Sequence, residues 1–378
     1  MNLTNFLQTK ELYYKDIDYD YMPNLWSRVK DKFISPKVIH IIGTNGKGST
    51  GRFLAHYLYK SGFKVGHYSS PHITRFNERI WLNGYDASDE ILENSHQILL
   101  TKLDSKDLEK LSYFEYTTLL AIEVFKDCDF VVLEAGLGGE YDATNIFEKL
   151  FTLVTPISID HQNFLGDTLA QIATTKLKSI TTFAIMTKQE EIVYQVAKRL
   201  NISYHDSKDF AGVEQFLASH NLASYLAQNL NLALTAIQEL GLKIDLSLLN
   251  DIKLTGRFQK ILPNLIVDVG HNEKAALAIK KELKDKKVIL IYNTYHDKNY
   301  KTILKTLKSN IEKVAVIDID NERILPKEKL FETLKDLNIE YEEFSYKLNP
   351  LKLYLAFGSF LVVEKISNSF NTIMINNR

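Results

Sequence analysis

A glycine-rich loop of eight residues follows an apolar run and opens a helix-like stretch. Its residues are, in order, Gly43, Thr44, Asn45, Gly46, Lys47, Gly48, Ser49 and Thr50. Where a strand joins a helix, free backbone N–H groups and the helix dipole face an anionic ligand such as phosphate. Lys47 would place a positive charge at the β- and γ-phosphates of a nucleotide, and the hydroxyl of Ser49 or Thr50 would reach Mg²⁺. Because Gly, Lys and hydroxyl side chains coincide there, a nucleotide site is favoured over a turn that only closes a strand.

Two further polar residues come directly after apolar runs. Glu134 follows the run Phe130–Leu133 and precedes a glycine-rich turn, and His161 follows Asp160 after another strand-like run. In open α/β sheets ligands bind at the carboxyl ends of parallel strands, so both side chains are candidates for a metal site. The alternatives are a solvated carboxylate at a strand end for Glu134 and a structural histidine for His161. Histidine is an unusual Mg²⁺ ligand, because hard cations prefer oxygen.

A candidate second cation, Arg257, lies in a Gly-Arg-Phe turn. Phosphoryl transfer needs compensation of the charge on the equatorial phosphate oxygens, and a guanidinium offers a fork of donors for that task. If a second domain closes over the nucleotide, Arg257 would act as an arginine finger from the same chain.

Alternating apolar runs and amphipathic stretches predict an α/β fold in two domains. The predicted strands are 38–42, 130–133, 153–157, 265–269, 288–292 and 354–363, and the predicted helices are 49–61, 115–126 and 221–240. Short apolar strands bounded by Gly, Asp or Pro indicate βαβ units and a parallel sheet. Because the pattern restarts near Thr255, we divide the chain into a larger ATP-binding domain, 1–254, and a smaller domain, 255–378.

Charge and composition argue against several classes of partner. Lys and Arg total 46 against 47 Asp and Glu, so the net charge of -1 gives no reason to expect nucleic acid or a membrane as partner. The single cysteine, Cys128, cannot form an internal disulfide, which favours a reducing cytoplasm. Met1–Lys15 lacks the order of a signal peptide, and no run approaches about 18 apolar residues. We therefore expect a cytoplasmic protein. We also expect a monomer, an expectation that no residue pattern carries.

Seven ordered motifs resemble those of the folylpolyglutamate synthase/dihydrofolate synthase family within the Mur-ligase superfamily. They are Gly43–Thr50; His67–Ile73 with Phe76–Ile80; Phe114–Tyr116; Leu133–Gly139 with Asp142–Asn145; Asp160–His161 with Leu165–Leu169; Thr255–Gln259; and Asp268–Asn272. The resemblance implies a Mur-ligase-like P-loop central domain with a parallel sheet flanked by helices, and a smaller Rossmann-like α/β domain of the glutamate-ligase type. It implies ATP-dependent ligation of L-glutamate to dihydropteroate and to tetrahydrofolate through an acyl phosphate, with ATP and Mg²⁺ as cofactors.

The resemblance also implies roles for individual residues. Glu134 would bridge two Mg²⁺ ions, with Ser70 and the γ-phosphate on one ion and His161 on the other. The residues implied to contact adenine, the ribose and the nucleotide side of the cleft are, in that order, Asn231, Asp268 and His271. The candidate folate pocket comprises Pro71, His72, Phe76, Arg79, Gly138, Gly139, Asp142 and Asn145. Arg79 would meet a substrate carboxylate, pair with Glu78, or cap a strand.

Lys176 resembles a lysine that is carbamylated in many relatives, where the modified amine is an anionic ligand on the metal side. The alternatives are a surface helix lysine at Lys176 and the same role for Lys178. The chain also departs from the family pattern at several positions. Glu140 stands for a common Arg, Thr175–Lys178 for Glu-Lys-Ala-Gly, Thr255 for Pro, Gly270 for Ala and Glu273 for Pro.

Several other functions are compatible with part of the sequence. A folylpolyglutamate synthase without the dihydrofolate synthase activity is the first alternative, since no residue decides between them. A ligase acting on cell-wall UDP-sugars is disfavoured by the Ser-Pro-His and Asp-Ala-Thr-Asn motifs. A P-loop ATPase or kinase needs only the glycine-rich loop and leaves the other motifs unexplained. A scaffold that binds a nucleotide without catalysis would have no use for Glu134 and His161 together.

Overall fold

The computed structural model describes residues 1–11, 18–34 and 36–376, with side chains up to residue 370. These residues form two compact units. The first unit combines Met1–Val213 with Ala227–Ile252, and the second combines Glu214–Leu226 with the chain from Lys253 onward. No helix in the described ranges has both the length and the apolar character needed to cross a bilayer.

The segment Glu214–Leu226 belongs to the second unit, whereas the sequence-based division placed it in the first domain. Tyr225 explains the difference, because its ring packs against the core of the second unit and its hydroxyl donates a hydrogen bond to Asp268 at 2.6 Å. A later break follows Ile252, two residues before the boundary predicted at Thr255. The chain therefore passes between the units three times.

The first unit contains an eight-stranded sheet and the second a six-stranded sheet. The strands are β1 (Lys37–Ile42), β2 (Val65–Tyr68), β3 (Ile80–Leu82), β4 (Tyr85–Asp86), β5 (Phe130–Glu134), β6 (Lys149–Val154), β7 (Ala184–Met186), β8 (Tyr204–Asp206), β9 (Gln259–Leu262), β10 (Leu265–Val267), β11 (Val288–Tyr292), β12 (Ile311–Val316), β13 (Tyr341–Glu343) and β14 (Tyr354–Phe357). The first sheet has the order β4-β3-β2-β5-β1-β6-β7-β8, and the second β13-β12-β11-β14-β10-β9. Most neighbours are parallel, and β3, β4 and β9 join in antiparallel pairs. The predicted α/β class is confirmed, with sheets that are mixed at one edge.

Fifteen α-helices flank these sheets in the described ranges. They are α1 (Leu3–Gln8), α2 (Tyr21–Val29), α3 (Lys47–Lys60), α4 (Asp89–Lys102), α5 (Ser105–Lys110), α6 (Tyr113–Val124), α7 (Gln162–Leu165), α8 (Leu169–Leu177), α9 (Glu191–Arg199), α10 (Val213–Ser219), α11 (Ala227–Glu239), α12 (Glu273–Leu283), α13 (Tyr300–Leu307), α14 (Lys327–Asp336) and α15 (Phe360–Asn376). Short 3₁₀ helices cover Lys30–Lys32, Phe76–Arg79, Ala143–Ile146, Ser224–Leu226, Leu246–Leu249 and Lys308–Asn310.

The central strands of the first sheet are apolar and buried, as strands covered on both faces must be. One apolar cluster joins β1 and β5 to α4 and α6, and a second joins β6 and β7 to α8 and α9. Burial of these residues fixes the positions of the strand ends, and so of the loops that follow them.

Three predicted elements differ from the observed ones. The predicted strand 153–157 is β6, Lys149–Val154, and it ends before Pro156, whose nitrogen has no hydrogen to donate. The predicted helix 221–240 begins only at Ala227, because Asn221 takes a left-handed conformation with φ 53° after α10. The predicted strand 354–363 stops at Phe357 and is followed by α15, for which Ser359 Oγ accepts the N–H of Val362. The other predicted elements lie within two residues of the observed ones.

Candidate active site

Four adjacent parallel strands, β2, β5, β1 and β6, carry most of the predicted site residues of the first unit. Ser70 follows β2, Glu134 is the last residue of β5, the loop from Gly43 follows β1, and His161 lies in the segment after β6. Because the carboxyl ends of parallel neighbours meet at one sheet edge, the fold brings these four segments to the same edge.

The glycine-rich loop forms the N-terminal end of α3. Gly43 and Gly46 have φ values of 139° and 89°, a region that side chains with a Cβ rarely adopt. The carbonyl of Pro156 accepts the N–H groups of Thr44 at 3.0 Å and Asn45 at 3.4 Å, which ties the loop to the segment after β6. The first turn of α3 has N–H groups without intrahelical acceptors, so its N-terminus is a site for an anion.

Two lysines and one carboxylate lie close to this loop. Lys47 Nζ is 3.8 Å from Glu134 Oε1 and 3.3 Å from the Gly43 carbonyl oxygen. Lys176 Nζ donates to the same carbonyl oxygen at 2.9 Å. Lys176 is 5% exposed, so it is not a surface lysine, whereas Lys178, at the C-terminal end of α8, is exposed and pairs with Glu140. The structure thus brings Lys47, Glu134 and Lys176 together, and their catalytic roles stay predictions.

Two of the departures from the family pattern, Glu140 and Lys178, contact each other. Both depart from the family pattern, and their side chains form an ion pair with Lys178 Nζ 2.9 Å from Glu140 Oε1. The Glu140 N–H also donates to the Thr175 carbonyl at 2.8 Å. The two departures therefore fall at one contact between the glycine-rich turn and α8.

The environment of Lys176 leads to a prediction about stability and pH. Burial, followed by the positive charge of Lys47, lowers the pKa of Lys176 from 10.5 to about 7. Between these values the unfolded chain binds the proton and the native state does not, so stability rises with pH by at most about 1.4 kcal/mol per pH unit. Lys176→Met removes this contribution. We expect the difference in unfolding free energy, natural chain minus variant, to increase from pH 7 to pH 9 in denaturant titrations. A difference that stays constant over this pH range would contradict the prediction.

In the candidate folate pocket, the loop before β3 orients Arg79 away from Glu78. Arg79 Nε donates to His72 Nδ1 at 2.8 Å, and the guanidinium lies 5.3 Å from the centre of the Tyr113 ring. The Glu78 carboxylate instead accepts the backbone N–H groups of residues 73–75, so the alternative of an Arg79–Glu78 pair is wrong. Burial and then the charge of Arg79 lower the pKa of His72 to about 4, so the imidazole is neutral near pH 7. Because Nδ1 accepts the Arg79 N–H, the single ring proton is on Nε2. Phe76 contacts both aromatic neighbours, His72 and Tyr113.

Both oxygens of the Asp142 carboxylate accept hydrogen bonds from within the protein. Its Oδ1 accepts the N–H and the hydroxyl of Thr144 at 2.9 and 2.5 Å, and its Oδ2 accepts the Leu137 N–H at 2.8 Å. Because the Thr144 hydroxyl donates to Asp142, it accepts from His40 Nε2, 2.8 Å away on β1. Asp142 therefore shapes the turn that forms the predicted pocket wall, and its contact with substrate stays a prediction. His40 is buried and supports this turn, which agrees with the interpretation of the histidines outside the motifs as structural.

The rest of the predicted pocket wall lies against α8. A Cβ at Gly139 would be 2.6 Å from the Lys176 carbonyl oxygen, and Gly138 has φ 73°. Asn145 donates to the Glu140 carbonyl at 2.8 Å and accepts Lys149 Nζ at 2.5 Å. The predicted pocket residue Pro71 is exposed next to Ser70. Gly139 is therefore required by the close approach of the turn to the helix that carries Lys176, and Gly138 by its left-handed backbone conformation.

Asn231, the residue predicted to contact adenine, contacts a loop of its own unit. Its Nδ2 donates to Asp209 at 2.8 Å, and its Oδ1 accepts the Phe210 N–H at 3.1 Å. The residue of α11 that reaches the glycine-rich loop is Asn229, which the sequence analysis missed. The adenine contact of Asn231 stays a prediction.

Three predicted nucleotide-binding residues belong to the second unit. Arg257 and His271 both lie near one aromatic ring, with the Arg257 guanidinium 5.9 Å and the centre of the His271 ring 6.2 Å from the centre of the Phe360 ring. Asp268 is buried and accepts hydrogen bonds from the Tyr225 hydroxyl and from two backbone N–H groups. Burial raises the pKa of Asp268. The structure thus places Arg257 and His271 near the same ring, and Asp268 holds the surrounding backbone and Tyr225 in position. The contacts of all three residues with a nucleotide stay predictions.

Close packing accounts for glycine at position 270. A Cβ at this position would lie 2.7 Å from the Ala275 Cβ and 2.7 Å from the Phe357 ring, so the alanine that is common in the family has no room here. Glu273, which stands for a common Pro, is the first residue of α12, where Pro and acidic residues are both favoured.

A metal at the strand edge would have mixed ligands. Nowhere in the described ranges do three or more His, Cys, Asp or Glu side chains cluster as metal ligands. Glu134 offers a buried carboxylate at the edge, and Mg²⁺ usually takes one or two carboxylates together with water and phosphate oxygens. The donor set fits Mg²⁺ bound with a nucleotide, with Ser49, Ser70 and His161 as the further predicted ligands.

Comparisons with known proteins agree with this architecture, although no family model matches the chain. A dihydrofolate synthase/folylpolyglutamate synthase of Haemophilus influenzae is 32% identical over 347 residues, which cover 79% of this chain and 78% of the relative. The Escherichia coli protein of the same name is 32% identical over 330 residues, with 79% and 77% covered. A crystal structure of Helicobacter pylori folylpolyglutamate synthetase superposes with a TM-score of 0.79 at 39% identity and covers 98% of both chains. Escherichia coli FolC in complex with DHPP and ADP gives 0.83 at 25% identity, with 99% of both covered. The predicted resemblance is confirmed, and the chain belongs to the dihydrofolate synthase/folylpolyglutamate synthase family.

Proposed function

We propose that this chain is an ATP-dependent ligase that joins L-glutamate to dihydropteroate and to tetrahydrofolate through an acyl phosphate, with release of ADP and phosphate. The observation that carries the proposal is a contact at the strand edge. The ammonium of Lys47, a residue of the glycine-rich loop, lies 3.8 Å from the carboxylate of Glu134. The names of the two relatives cover both activities, and the Escherichia coli structure contains DHPP and ADP.

The residues at this edge match the needs of phosphoryl transfer. The first-turn N–H groups of α3 and the Lys47 ammonium would bind the phosphates, and no protein nucleophile is required. Glu134 holds Lys47 in place and supplies a hard oxygen for a divalent cation. When bound, Mg²⁺ would neutralise the phosphate oxygens and so lower the barrier to attack.

The ligation itself follows from activation of the acid. A carboxylate oxygen of the folate substrate attacks the γ-phosphorus, ADP leaves, and a mixed anhydride forms. The glutamate amine then attacks the carbonyl carbon, loses a proton and displaces phosphate, which leaves an amide. Water would destroy the acyl phosphate, so this chemistry requires a site from which water is excluded.

The proposal is tested with purified protein, ATP, Mg²⁺, L-glutamate and either dihydropteroate or tetrahydrofolate. We expect release of phosphate only when acid and glutamate are both present, and mass spectrometry should find the glutamyl product of each acid. A rate of phosphate release that does not depend on glutamate would indicate an ATPase, and a stable phosphorylated product would indicate a kinase. A glutamyl product from tetrahydrofolate but none from dihydropteroate would indicate a folylpolyglutamate synthase without dihydrofolate synthase activity.

Arg79 provides a prediction about substrate binding. Its guanidinium is fixed by His72 and Tyr113, and it has no carboxylate partner within the described residues. Hydrogen bonds to a charged partner contribute about 1.5–3 kcal/mol, so Arg79→Met should raise the KM of the acid about tenfold or more. The KM of ATP should stay within about twofold in the same steady-state assay. Equal changes in both constants would contradict a role in binding the acid.

A further inference from the structure

Asn229, on α11, contacts the glycine-rich loop with its side-chain amide. The side chain is 6% exposed, and its Nδ2 lies 3.1 Å from the Gly46 carbonyl oxygen and 3.1 Å from Thr50 Oγ1. An amide nitrogen carries two hydrogens, so both are used in contacts with this loop. The two contacts span the stretch from the residue before α3 to its fourth residue.

The backbone at Gly46 is shaped to admit this amide. A Cβ at position 46 would lie 2.0 Å from Asn229 Nδ2, and the φ of 89° also favours glycine. The Gly46 carbonyl oxygen accepts the Thr50 N–H at 2.9 Å as well, which is the first hydrogen bond of the helix. Asn229 thus adds a second donor to the carbonyl at which α3 begins.

Fixing this carbonyl fixes an anion-binding N–H group. The peptide bond is planar and trans, so the C=O of Gly46 and the N–H of Lys47 point in opposite directions. With its oxygen held by Asn229 and Thr50, the peptide turns the Lys47 N–H to the other side, where the N-terminus of α3 would receive phosphate. A rotated peptide would direct a carbonyl oxygen towards the anion and repel it.

We propose that Asn229 is a positioning residue that holds the Gly46–Lys47 peptide in the orientation needed to bind the phosphates of ATP. The inference rests on the proposed function, because it takes the loop as the site for ATP. Asn231 cannot replace Asn229, since two residues on a helix are about 200° apart and its amide contacts the Asp209–Phe210 segment.

Two substitutions at position 229 separate positioning from packing. Asn229→Ala removes both donors, and we expect the KM of ATP and the Kd of ADP to rise about thirtyfold, because each of the two hydrogen bonds contributes about 1 kcal/mol. Asn229→Asp puts an oxygen against the Gly46 carbonyl and a negative charge near the phosphates, so its effect should exceed that of the alanine variant. Thr50→Val removes one acceptor without altering α11, and it should raise the KM of ATP severalfold. Gln228→Ala, on the exposed neighbour, is the matched control and should change nothing.

The measurements are the KM of each substrate, the kcat, the Kd of ADP by titration calorimetry and the Tm. A positioning role predicts that the KM of ATP rises while the KM values of glutamate and of the acid stay the same. Equal losses for all substrates, or a lower Tm with unchanged nucleotide binding, would overturn the inference, because packing alone predicts them. If neither variant at position 229 folds, Thr50→Val decides through the Kd of ADP measured without Mg²⁺. A Thr50 hydroxyl that served only the metal would leave this Kd unchanged, and that result would overturn the inference. Absence of glutamate-dependent turnover in the natural chain would reject the proposed function itself.

Discussion

Lys47→Ala is expected to reduce the kcat of glutamate-dependent phosphate release by about 10²–10³-fold, the usual effect of removing one preorganised group that stabilises transition-state charge. The Lys47 ammonium lies near Glu134 and the Gly43 carbonyl, so it is held in place before any phosphate binds. Its charge counts most when negative charge spreads over the transferred phosphoryl group. Measurement of phosphate release at saturating ATP and acid isolates this step.

Two comparisons make the result specific to the position. Lys198→Ala removes an exposed lysine of α9 in the same unit and should leave kcat unchanged. Lys47→Arg keeps the charge but exchanges a compact ammonium for a planar fork, so it should recover only part of the rate. A Lys47→Ala enzyme with normal turnover would place the phosphates elsewhere and remove the basis of the proposed function.

Local sequence was enough to locate the strand edge. Glycine-rich residues 43–50 stand between a buried strand and an amphipathic helix, and every signal lies within about twenty neighbouring residues. The same holds for Glu134 at the end of β5. Because short-range patterns fix β1, α3 and β5, and parallel pairing then brings their ends together, the core of the candidate site followed from the sequence.

Contacts between distant residues did not follow from sequence. Asn229 and Asn231 are two positions apart on α11, and only the helix phase against α3 shows which of them meets Gly46. Tyr225 assigns its segment to the second unit through Asp268, 43 residues along the chain. Neither the Asn229–Gly46 contact nor the Tyr225–Asp268 contact has a local sequence signal, because each depends on the packing of elements that are distant in sequence.

The final predicted strand shows a different limit. Residues 354–363 are apolar almost throughout, and a short apolar run does not distinguish a buried strand from a buried helix. Gly358, with φ 118°, ends the strand, and Ser359 caps the helix that follows. The Gly-Ser pair is a helix-start signal that the apolar periodicity concealed.

Glu134→Gln is expected to lower kcat by about 10²–10³-fold and to raise the Mg²⁺ concentration needed for half-maximal rate, since electrostatic groups at the reacting phosphate have effects of that size. The glutamine keeps the shape of the side chain, so packing at the end of β5 should be preserved. It removes the anionic oxygen, which is the kind of ligand that Mg²⁺ prefers. The experiment is a Mg²⁺ titration of phosphate release, repeated with Mn²⁺, and a titration of Mn²⁺ binding in the presence of ADP.

The Mg²⁺ dependence separates two roles of the same carboxylate. If Glu134 only orients Lys47, 3.8 Å away, the variant will lose activity to the same extent at every Mg²⁺ concentration and will bind Mn²⁺ normally. If it is a metal ligand, higher Mg²⁺ will restore part of the rate, and Mn²⁺ will bind more weakly. Glu191→Gln, on an exposed carboxylate at the start of α9, is the matched control and should leave both titrations unchanged. If Glu134 served only as the ion-pair partner of Lys47, the predicted metal ligands would be Ser49, Ser70 and His161. This set contains no carboxylate and is therefore a poor site for a hard cation.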